Sequence, residues 1–491
     1  MAHRAASIRS NCLQLTRCKR TMFFESFLLN FSVLGVLIVA LTFDYVSKYF
    51  SYWYVRHISY KTTVPFFGSD YHRVLGLRNT TDEVNKLYAK HPDERLYGCI
   101  KSRIPDLIVK DPDVIEKMLC TDFASFHCKG LGLDKSQDVC LRNNLFYAEG
   151  EKWTVMREGM ESLLKSMPYE IEDSLHGYLS GINGDTNVQQ FLADILDGTF
   201  EYLLLNKDFT RNEKKIIQSF RSAVQKPTLA EKFKTYLKNV FPSLYLLFGL
   251  STLPGETVNK SLEVLEKSNL MKEVKRIRSE FQLDIKEKHS KRKRDSDIEL
   301  AVSILASFIT EGYIPCLNVL TALFYELAKY PEVQKKIRLC GSGEDCEVYL
   351  DKVINETLRL HPAYSITSRK CTKMYKFPDG LVIDRGLTAT IPIEALHQDR
   401  RFYEKPEIFN PDRFDEGKLK HAYSYIPFGA GPRKCVGEEL SKRIISSISR
   451  RILLKYQVRP CSKTPPRLPK TDLGFARVID RDIWLNFTPI D

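Results

Sequence analysis

The chain has 491 residues, 43% of them hydrophobic, which is enough to bury a large core, and no repeat period is visible. One large domain, or two that share a core, therefore fits better than a row of small modules. The net charge of +13 suits nucleic acid, an anionic membrane surface or an acidic protein. No basic stripe interleaved with aromatic residues favours nucleic acid, so no nucleic-acid partner is expected. The twelve cysteines include no CxxC pair, which favours reduced thiols in a protein that faces the cytosol.

A membrane anchor is predicted at residues 22–47. The stretch SFLLNFSVLGVLIVALTF, eighteen uncharged residues between Glu25 and Asp44, is long enough for a short membrane span. No small-residue cleavage site follows it, whereas the aromatic run YFSYWYV does, which favours an anchor over a secretory signal. Residues 48–64 are then expected to be a linker, and residues 65–491 the globular body.

The segment before the anchor, residues 1–21, is basic and contains no acid. This composition resembles a mitochondrial transit peptide, and its charge would hold the amino terminus in the cytosol and send the body into the lumen. A start at Met22 removes the conflict, so residues 1–21 are interpreted as an extension that is dispensable or absent in the working protein. The expected location is the endoplasmic reticulum (microsomal) membrane with a cytosol-facing body, and the mitochondrion is the alternative.

The body is predicted to be mainly α with smaller β-sheets. Most of residues 113–362 has helical periodicity, and strand-like sequence is clearest at residues 380–394 and at the carboxyl end. The apolar stretch FPSLYLLFGLSTLP, residues 241–254, interrupts the helical pattern. Core packing and a membrane-dipping substrate entrance are both open for it.

One predicted helix, SFITEGYIPCLNVLTALFYELAKYP at residues 307–331, contains an obstacle. Its apolar residues recur three or four apart, as in a helix. Gly312 and Pro315 lie near its start, where proline removes one backbone hydrogen bond and clashes with the preceding turn. A kink is therefore expected there.

A glycine-rich loop with one cysteine, YIPFGAGPRKCVGEELSKRIISSI, occupies residues 425–448. Its glycines are expected to let the backbone approach a bulky group closely. Cys435 lies where a helix begins, two residues from Arg433, and both features favour the thiolate. The stretch resembles the cysteine loop of the cytochrome P450 family, F-x-x-G-x-R-x-C-x-G. Its fixed positions are filled here by Phe428, Gly431, Arg433, Cys435 and Gly437.

Further motifs of that family follow in the same order. The stretch NETLRLHP supplies the E-x-x-R pair as Glu356 and Arg359, which the resemblance joins to Arg413 of FNPDRF in a buried ion network. The stretch GEKWTVMR supplies W-x-x-x-R as Trp153 and Arg157, whose donors would share one helical face and suit a haem propionate. The other expected propionate partners are Arg369 and Arg433.

The resemblance covers roughly residue 65 to the end, and its nearest branch is the insect microsomal one. It implies a helical haem domain with a β-rich subdomain, and haem b with Cys435 as the axial iron ligand. It also implies an NADPH-cytochrome reductase as electron donor and a small lipophilic substrate that receives oxygen. The basic residues around the cysteine loop would either dock an acidic reductase or form a solvated face; they are Lys418, Lys420, Lys434, Lys442 and Arg443.

The distal motif departs from the family pattern A/G-G-x-D/E-T-T/S. Ile314 occupies the acid position and Pro315 the threonine position, and neither side chain relays a proton. Glu311, four residues before Pro315 and expected on the same helical face, is predicted to hold a water instead. The predicted distal residues are Glu311, Gly312, Pro315 and Cys316. Three functions stay open: a monooxygenase with a rebuilt relay, an isomerase or dehydratase of lipid peroxides, and non-catalytic haem-dependent ligand binding or sensing.

Overall fold

The computed structural model describes residues 27–47, 51–61, 64, 68–69, 71–101, 104–168, 182–205, 211–281, 293–340, 343–473 and 476–490. The predicted extension, residues 1–21, and the first residues of the predicted anchor lie outside this part of the chain.

Helix α1, Phe27–Ser47, falls within the predicted anchor. It has a mean hydropathy of 2.1, and none of it is buried against the rest of the protein. Among the described residues a second helix, Asp297–Lys329, is also long and apolar enough to cross a membrane, but 78% of its most apolar window is buried, as in a core helix. Residues 51–61 belong to the predicted linker, yet Trp53 is buried and its indole N–H donates to the Cys99 carbonyl at 2.7 Å. This part of the linker therefore packs on the body.

The body is mostly helical. The helices of its first half are α2 Tyr71–Val74, α3 Thr80–Lys90, α4 Pro112–Glu116, α5 Phe123–Phe126, α6 Val139–Arg142, α7 Gly150–Ser166 and α8 Val188–Leu204. Those of its middle are α9 Arg211–Gln225, α10 Leu229–Val240, α11 Pro242–Leu247, α12 Gly255–Leu265, α13 Asn269–Glu280 and α14 Lys293–Ser307. The remaining ones are α15 Ile314–Lys329, α16 Pro331–Leu339, α17 Glu344–Leu360, α18 Ile393–His397 and α19 Glu438–Lys455.

Local sequence explains several of the helix starts. Thr228 and Glu231 form a reciprocal capping box before α10, and Asp111 caps α4, whose first residue is Pro112. Short 3-10 turns occupy Leu133–Lys135, Pro411–Phe414, Ala422–Ser424 and Gly431–Arg433. Two π-helical turns occupy Lys117–Thr121 and Phe308–Tyr313.

The strands are few and short, which confirms the mainly α prediction. They are β1 Leu96–Lys101, β2 Ile104–Val109, β3 Gly184–Asn187, β4 Thr367–Lys370, β5 Tyr375–Lys376, β6 Val382–Ile383, β7 Thr388–Ile391, β8 Tyr456–Pro460, β9 Lys470–Leu473, β10 Ala476–Ile479 and β11 Trp484–Pro489. They form a four-stranded sheet β1-β2-β7-β4, a three-stranded sheet β3-β11-β8 and the hairpins β9-β10 and β5-β6. In the larger sheet β2 and β7 are parallel, and the other neighbours are antiparallel. Strands β6 and β7 fall in the predicted stretch 380–394, whereas β1 and β2 were not singled out by the sequence pattern.

Two hydrophobic clusters position the site. The larger one is built around α8, α14, α15, α17 and α19, and nearly every residue of α15 is buried in it. The second cluster covers the four-stranded sheet. Phe428 packs against the first cluster and Ile426 belongs to the second, so the cysteine loop starts where the two meet.

The apolar stretch 241–254 has features of both interpretations left open for it, core packing and a membrane-dipping entrance. Tyr245 is fully buried, in agreement with core packing. Leu247 and Phe248 are 75% and 64% exposed, and Leu244 is exposed as well. The stretch is therefore anchored by its tyrosine and presents an apolar face to the outside.

Candidate functional site

Cys435 lies in the turn that leads into α19. Its backbone N–H donates to the Phe428 carbonyl at 2.9 Å, and the Gly437 N–H donates to its thiol. Cys435 is exposed to solvent, yet the surrounding protein atoms desolvate its thiol and raise its pKa. A thiol that is both accessible and deep faces an interior space.

The electrostatics of this thiol correct the sequence prediction. The helix start and Arg433 were expected to lower its pKa, but the net pKa is raised because burial outweighs the Gly437 N–H and the charges of Arg157 and Lys129. The Arg433 guanidinium instead donates to the carbonyls of His127 and Ala148, at 2.6 and 2.8 Å. The helix start and Arg433 therefore do not by themselves lower the pKa of this thiol.

Gly431 is required by protein packing rather than by a bound group. It has a φ of 68°, and a Cβ added to it would lie 1.8 Å from the Leu119 carbonyl oxygen in the first π turn. Gly437 has room, since its nearest neighbour to an added Cβ is the Cys435 sulfur at 4.0 Å. These glycines were expected to admit a bulky group. At Gly431 the glycine instead allows two backbone segments of the protein to lie in close contact.

Three cations are gathered beside this loop: Lys129, Arg369 and Arg433. None of them forms a salt bridge with an acid in the described part of the chain, and the buried Nε of Arg369 has no hydrogen-bond partner. Burial lowers the pKa of Arg369 to about 9 and that of Arg433 to about 10. Burial also holds the pKa of Lys129 well below its usual value, and the two arginines add to this. Such a cluster needs an anion, and the two propionates of haem b are of the right charge.

Trp153 and Arg157, the W-x-x-x-R pair on α7, contact different parts of the protein. The Arg433 guanidinium lies 4.6 Å from the ring centroid of Trp153, so this indole stacks on the cationic cluster. Arg157 instead donates to the Lys434 carbonyl at 2.7 Å and pairs with Glu161 at 2.8 Å. Arg157 therefore ties α7 to the cysteine loop. Lys129 is not predictable from the sequence, because a single lysine in the stretch SFHCKG has no motif around it.

The residues predicted as an ion network lie together. Arg359 donates to both carboxylate oxygens of Glu356, at 2.7 and 2.8 Å, and both residues are fully buried. Arg413 reaches the same carboxylate at 3.3 Å, and the Asn410 N–H reaches it at 2.8 Å. This network joins α17 to the loop that precedes the cysteine.

The distortion expected near Pro315 is a π turn. Between α14 and α15 the chain winds through Phe308–Tyr313, and the Ile314 N–H bonds to the Ile309 carbonyl five residues back. Pro315 lies in the first turn of α15, where its missing N–H costs least.

An interior cavity of about 1110 Å³ lies against this turn and opens to the outside. Its wall includes Glu311, Thr310 and Ile314 but not Pro315 or Cys316, both of which are buried. Whether Glu311 and Pro315 share a helical face stays a prediction; of the two, Glu311 reaches the cavity and Pro315 is buried. Gly312 lies next to Phe200, with 3.8 Å between that ring and an added Cβ.

Glu311 presents its carboxyl group to the cavity. Asn144 donates to one of its oxygens at 3.0 Å. Burial raises the pKa of Glu311, although hydrogen bonds from Thr310, Asn144 and Ser307 act against this. Tyr364 also lines the cavity, and after burial the charges of Glu311, Tyr147 and Cys435 raise its pKa further. Tyr364 is thus within electrostatic range of both the Glu311 carboxyl group and the Cys435 thiol.

The comparisons with known proteins agree with this geometry. A family model described as Cytochrome P450 matches residues 59–485. The chain belongs to the cytochrome P450 family. Cytochrome P450 6B2 of Helicoverpa armigera is 26% identical, with 93% of this chain and 98% of that protein covered. Cytochrome P450 6B1 of Papilio polyxenes is 26% identical over 88% and 94%, and Cytochrome P450 3A5 of Homo sapiens 28% identical over 82% and 86%.

Family membership settles the cofactor and the class of enzyme. Cytochromes P450 bind haem through a cysteine thiolate, work with a redox partner and act on lipophilic compounds. This chain is a haem-thiolate enzyme of the monooxygenase class, and the predicted insect microsomal branch is confirmed. The thiol that faces an interior space, and the cations that lack acids, fit the group.

The basic residues around the cysteine loop are engaged within the chain. Lys434 pairs with Glu438 at 2.6 Å, Lys442 with Asp351 at 2.9 Å and Lys418 with Asp415 at 2.5 Å. Lys420 donates to the Arg401 carbonyl and Arg443 to the Pro168 carbonyl. The predicted docking face is therefore basic by composition, but several of its lysines form ion pairs with acids of the same chain.

Proposed function

We propose that this cytochrome P450 is a membrane-anchored monooxygenase that uses NADPH-derived electrons from a reductase to insert oxygen into a small lipophilic substrate. The observation that carries the proposal is the Glu311 carboxyl group, which the π turn directs into the cavity although the family's acid and threonine positions are occupied by Ile314 and Pro315. An isomerase of lipid peroxides, or a ligand-binding protein, needs no proton donor there.

Cys435 is proposed as the axial ligand of haem b. When bound, haem b supplies the redox-active iron that reduces dioxygen with two electrons and transfers one oxygen atom. The chain fixes the sulfur through the Gly437 N–H and through the bond between the Cys435 N–H and Phe428. The cations Lys129, Arg369 and Arg433, with Trp153 stacked on them, would hold the propionates.

Glu311 is proposed to carry protons into the distal cavity. Asn144 donates to one carboxyl oxygen, and the carboxyl group lines the cavity, where it can bind a water. Because burial raises its pKa, Glu311 keeps a proton to a higher pH than an exposed glutamate and can donate it. Cys316, Pro315 and Gly312 then support the winding of the helix rather than touch the substrate.

The membrane association is proposed from two apolar surfaces. Helix α1 is fully exposed. Leu247 and Phe248 after α10 are exposed, as are Leu75 and Leu77 next to α2. The Tyr236 hydroxyl of α10 donates to the Val74 carbonyl at 2.5 Å, which keeps these two segments side by side. We place the enzyme on the endoplasmic reticulum, with residues 22–47 as anchor, residues 65–491 as a cytosol-facing domain and residues 1–21 dispensable.

The test of the function supplies the full-length protein with reductase, NADPH and lipophilic compounds, and separately with fatty-acid hydroperoxides. We expect hydroxylated product only with NADPH. Fast rearrangement of hydroperoxide without NADPH would indicate an isomerase, and no turnover with either would indicate a binding protein. For the location, a chain that begins at Met22 should enter microsomes with its body open to protease; import into mitochondria with loss of the first residues would contradict this.

A further inference from the structure

Lys238 of α10 lies in the wall of the same cavity as Glu311. Its ammonium group forms no hydrogen bond or ion pair with the residues that the structure describes. The Lys238 side chain is half-buried, and burial among protein atoms lowers its pKa. A lysine in such a place is costly unless something compensates its charge.

The acid that acts most strongly on Lys238 is already engaged. Asp138 accepts the Cys140 N–H at 3.0 Å and the Tyr245 hydroxyl at 2.9 Å. It also accepts both the N–H and the hydroxyl of Thr252, at 3.1 and 3.2 Å. Its four short bonds hold α6, α11 and the following loop together, so it has little capacity left for an ammonium group.

The remaining acids of the cavity wall are also engaged or distant from its interior. Glu231 belongs to the capping box of α10, and Asp472 pairs with Arg477 at 2.9 Å. Asp480 and Asp482 are exposed residues at the mouth. Glu311 is the other buried acid, and it is bonded to Asn144. Lys238 therefore offers a positive charge to whatever enters the cavity.

The cavity wall combines polar side chains, such as Asn144 and Thr310, with an apolar part. Leu141 and Phe146 line it from the segment around α6, and Ala306, Ile314 and Leu317 line it from the long helix. A compound that satisfies this wall has an apolar body and one charged end. Because Asp138 and Glu311 are near, a doubly charged head such as phosphate is disfavoured against a single negative charge.

We propose that Lys238 anchors the head of the substrate and that the substrate is a lipophilic carboxylate. This inference rests on the proposed function, because it assigns the cavity to a substrate.

The experiment uses the full-length haem-loaded protein and measures dissociation constants by calorimetry and by the change in the haem spectrum. The probes are dodecanoate, its methyl ester and dodecyl phosphate. We expect wild type to bind dodecanoate about tenfold or more tighter than the ester. Lys238→Met should weaken dodecanoate by about tenfold or more and leave the ester within about twofold, and Lys238→Arg should retain most of the preference. The matched control is Lys232→Met, an exposed lysine of the same helix at the cavity mouth, which should change neither constant.

Several outcomes would overturn the inference. Equal weakening of dodecanoate and ester in Lys238→Met would mean that the lysine only maintains the cavity. Preference for the ester, or for dodecyl phosphate, in wild type would mean that the head is of another kind. Lys238-dependent binding without NADPH-driven turnover would leave the anchor standing and reject the monooxygenase. NADPH-driven oxidation without preference for the carboxylate would support the monooxygenase and reject the Lys238 anchor.

Discussion

The two sides of the haem site are built in different ways. On the cysteine side each motif residue is held by contacts with other parts of the chain: the Cys435 N–H by Phe428, Arg433 by two carbonyls and Gly431 by a backbone that leaves no room for a Cβ. On the opposite side, the orientation of Glu311 depends on a π turn and on side-chain hydrogen bonds from Asn144, Thr310 and Ser307. The first arrangement restricts the residue type most strongly at Gly431, where a side chain has no room. The second sets the winding of a helix, and different residues can then supply the same carboxyl group.

The distal turn also has its own anchor behind the cavity. The Tyr313 hydroxyl donates to Asp197 at 2.7 Å and to the Ala193 carbonyl at 2.9 Å, and Tyr313 is fully buried. Asp197 is paired with Arg221 at 3.0 Å. These contacts fix the turn to α8 and α9 through a residue type that no distal motif specifies.

The largest effect is expected at the cysteine. Cys435→Ala should abolish the red-shifted Soret band of the reduced carbon monoxide complex, because no thiolate then reaches the iron. Cys371→Ala and Cys461→Ala serve as controls and should keep the band. A thiolate spectrum in Cys435→Ala would show that another cysteine is the ligand.

The difference in rigidity can be tested by adding one methyl group on each side of the haem site, at Gly431 and at Gly312. Gly431→Ala should destabilise the fold by about 4 kcal/mol or more and prevent haem uptake, because its Cβ would overlap the Leu119 carbonyl. Gly312→Ala meets only ordinary contact with Phe200 and should bind haem with a similar thermal midpoint. Equal tolerance at both glycines would contradict the difference between the two sides.

The role of the distal carboxyl group is tested by Glu311→Gln. Loss of general acid assistance should lower NADPH-driven product formation by about a hundred- to ten-thousandfold, with electrons diverted to peroxide. Because the raised pKa of Glu311 makes it a donor when protonated, wild-type activity should fall as pH rises through that pKa, and the variant should lack this limb. Product and peroxide are quantified per NADPH consumed.

The same experiment has a rescue. Ile314 lines the cavity and Pro315 does not, so Ile314→Glu in the Glu311→Gln background should restore part of the coupling. Pro315→Thr in that background should not restore it. Well-coupled turnover by Glu311→Gln itself would reject the relay.

The smallest effect is a pH dependence on the cysteine side. Burial, and after it the charge of Arg359, lowers the pKa of His397 to about 3, and its ring accepts the Ile426 N–H at 3.0 Å. The unfolded chain takes up a proton near pH 6.5 and the folded one does not, so this contribution to stability is complete above pH 6.5. It is lost by about 1.4 kcal/mol per pH unit as the pH falls towards 3. The thermal midpoint should drop more between pH 7 and 5 in wild type than in His397→Gln; equal drops would contradict the assignment.

The sequence was sufficient for the fold class and the cysteine side, and the reason is physical. Positions such as Gly431 and Glu356 are fixed by steric or charge requirements that few residues meet, so their spacing is visible as a motif. The distal side could be predicted less completely, because a π turn leaves no mark in residue counts. Asn144, Lys129 and Lys238 were missed since their roles arise only from where distant helices and loops bring them.

The lysines around the cysteine loop have a kinetic consequence. Lys434, Lys442 and Lys418 already neutralise Glu438, Asp351 and Asp415. A protein that delivers electrons must exchange these internal pairs for its own acids, and dissolved ions weaken the old pairs and the new ones together. The association rate should therefore vary less steeply with ionic strength than a net charge of +13 suggests.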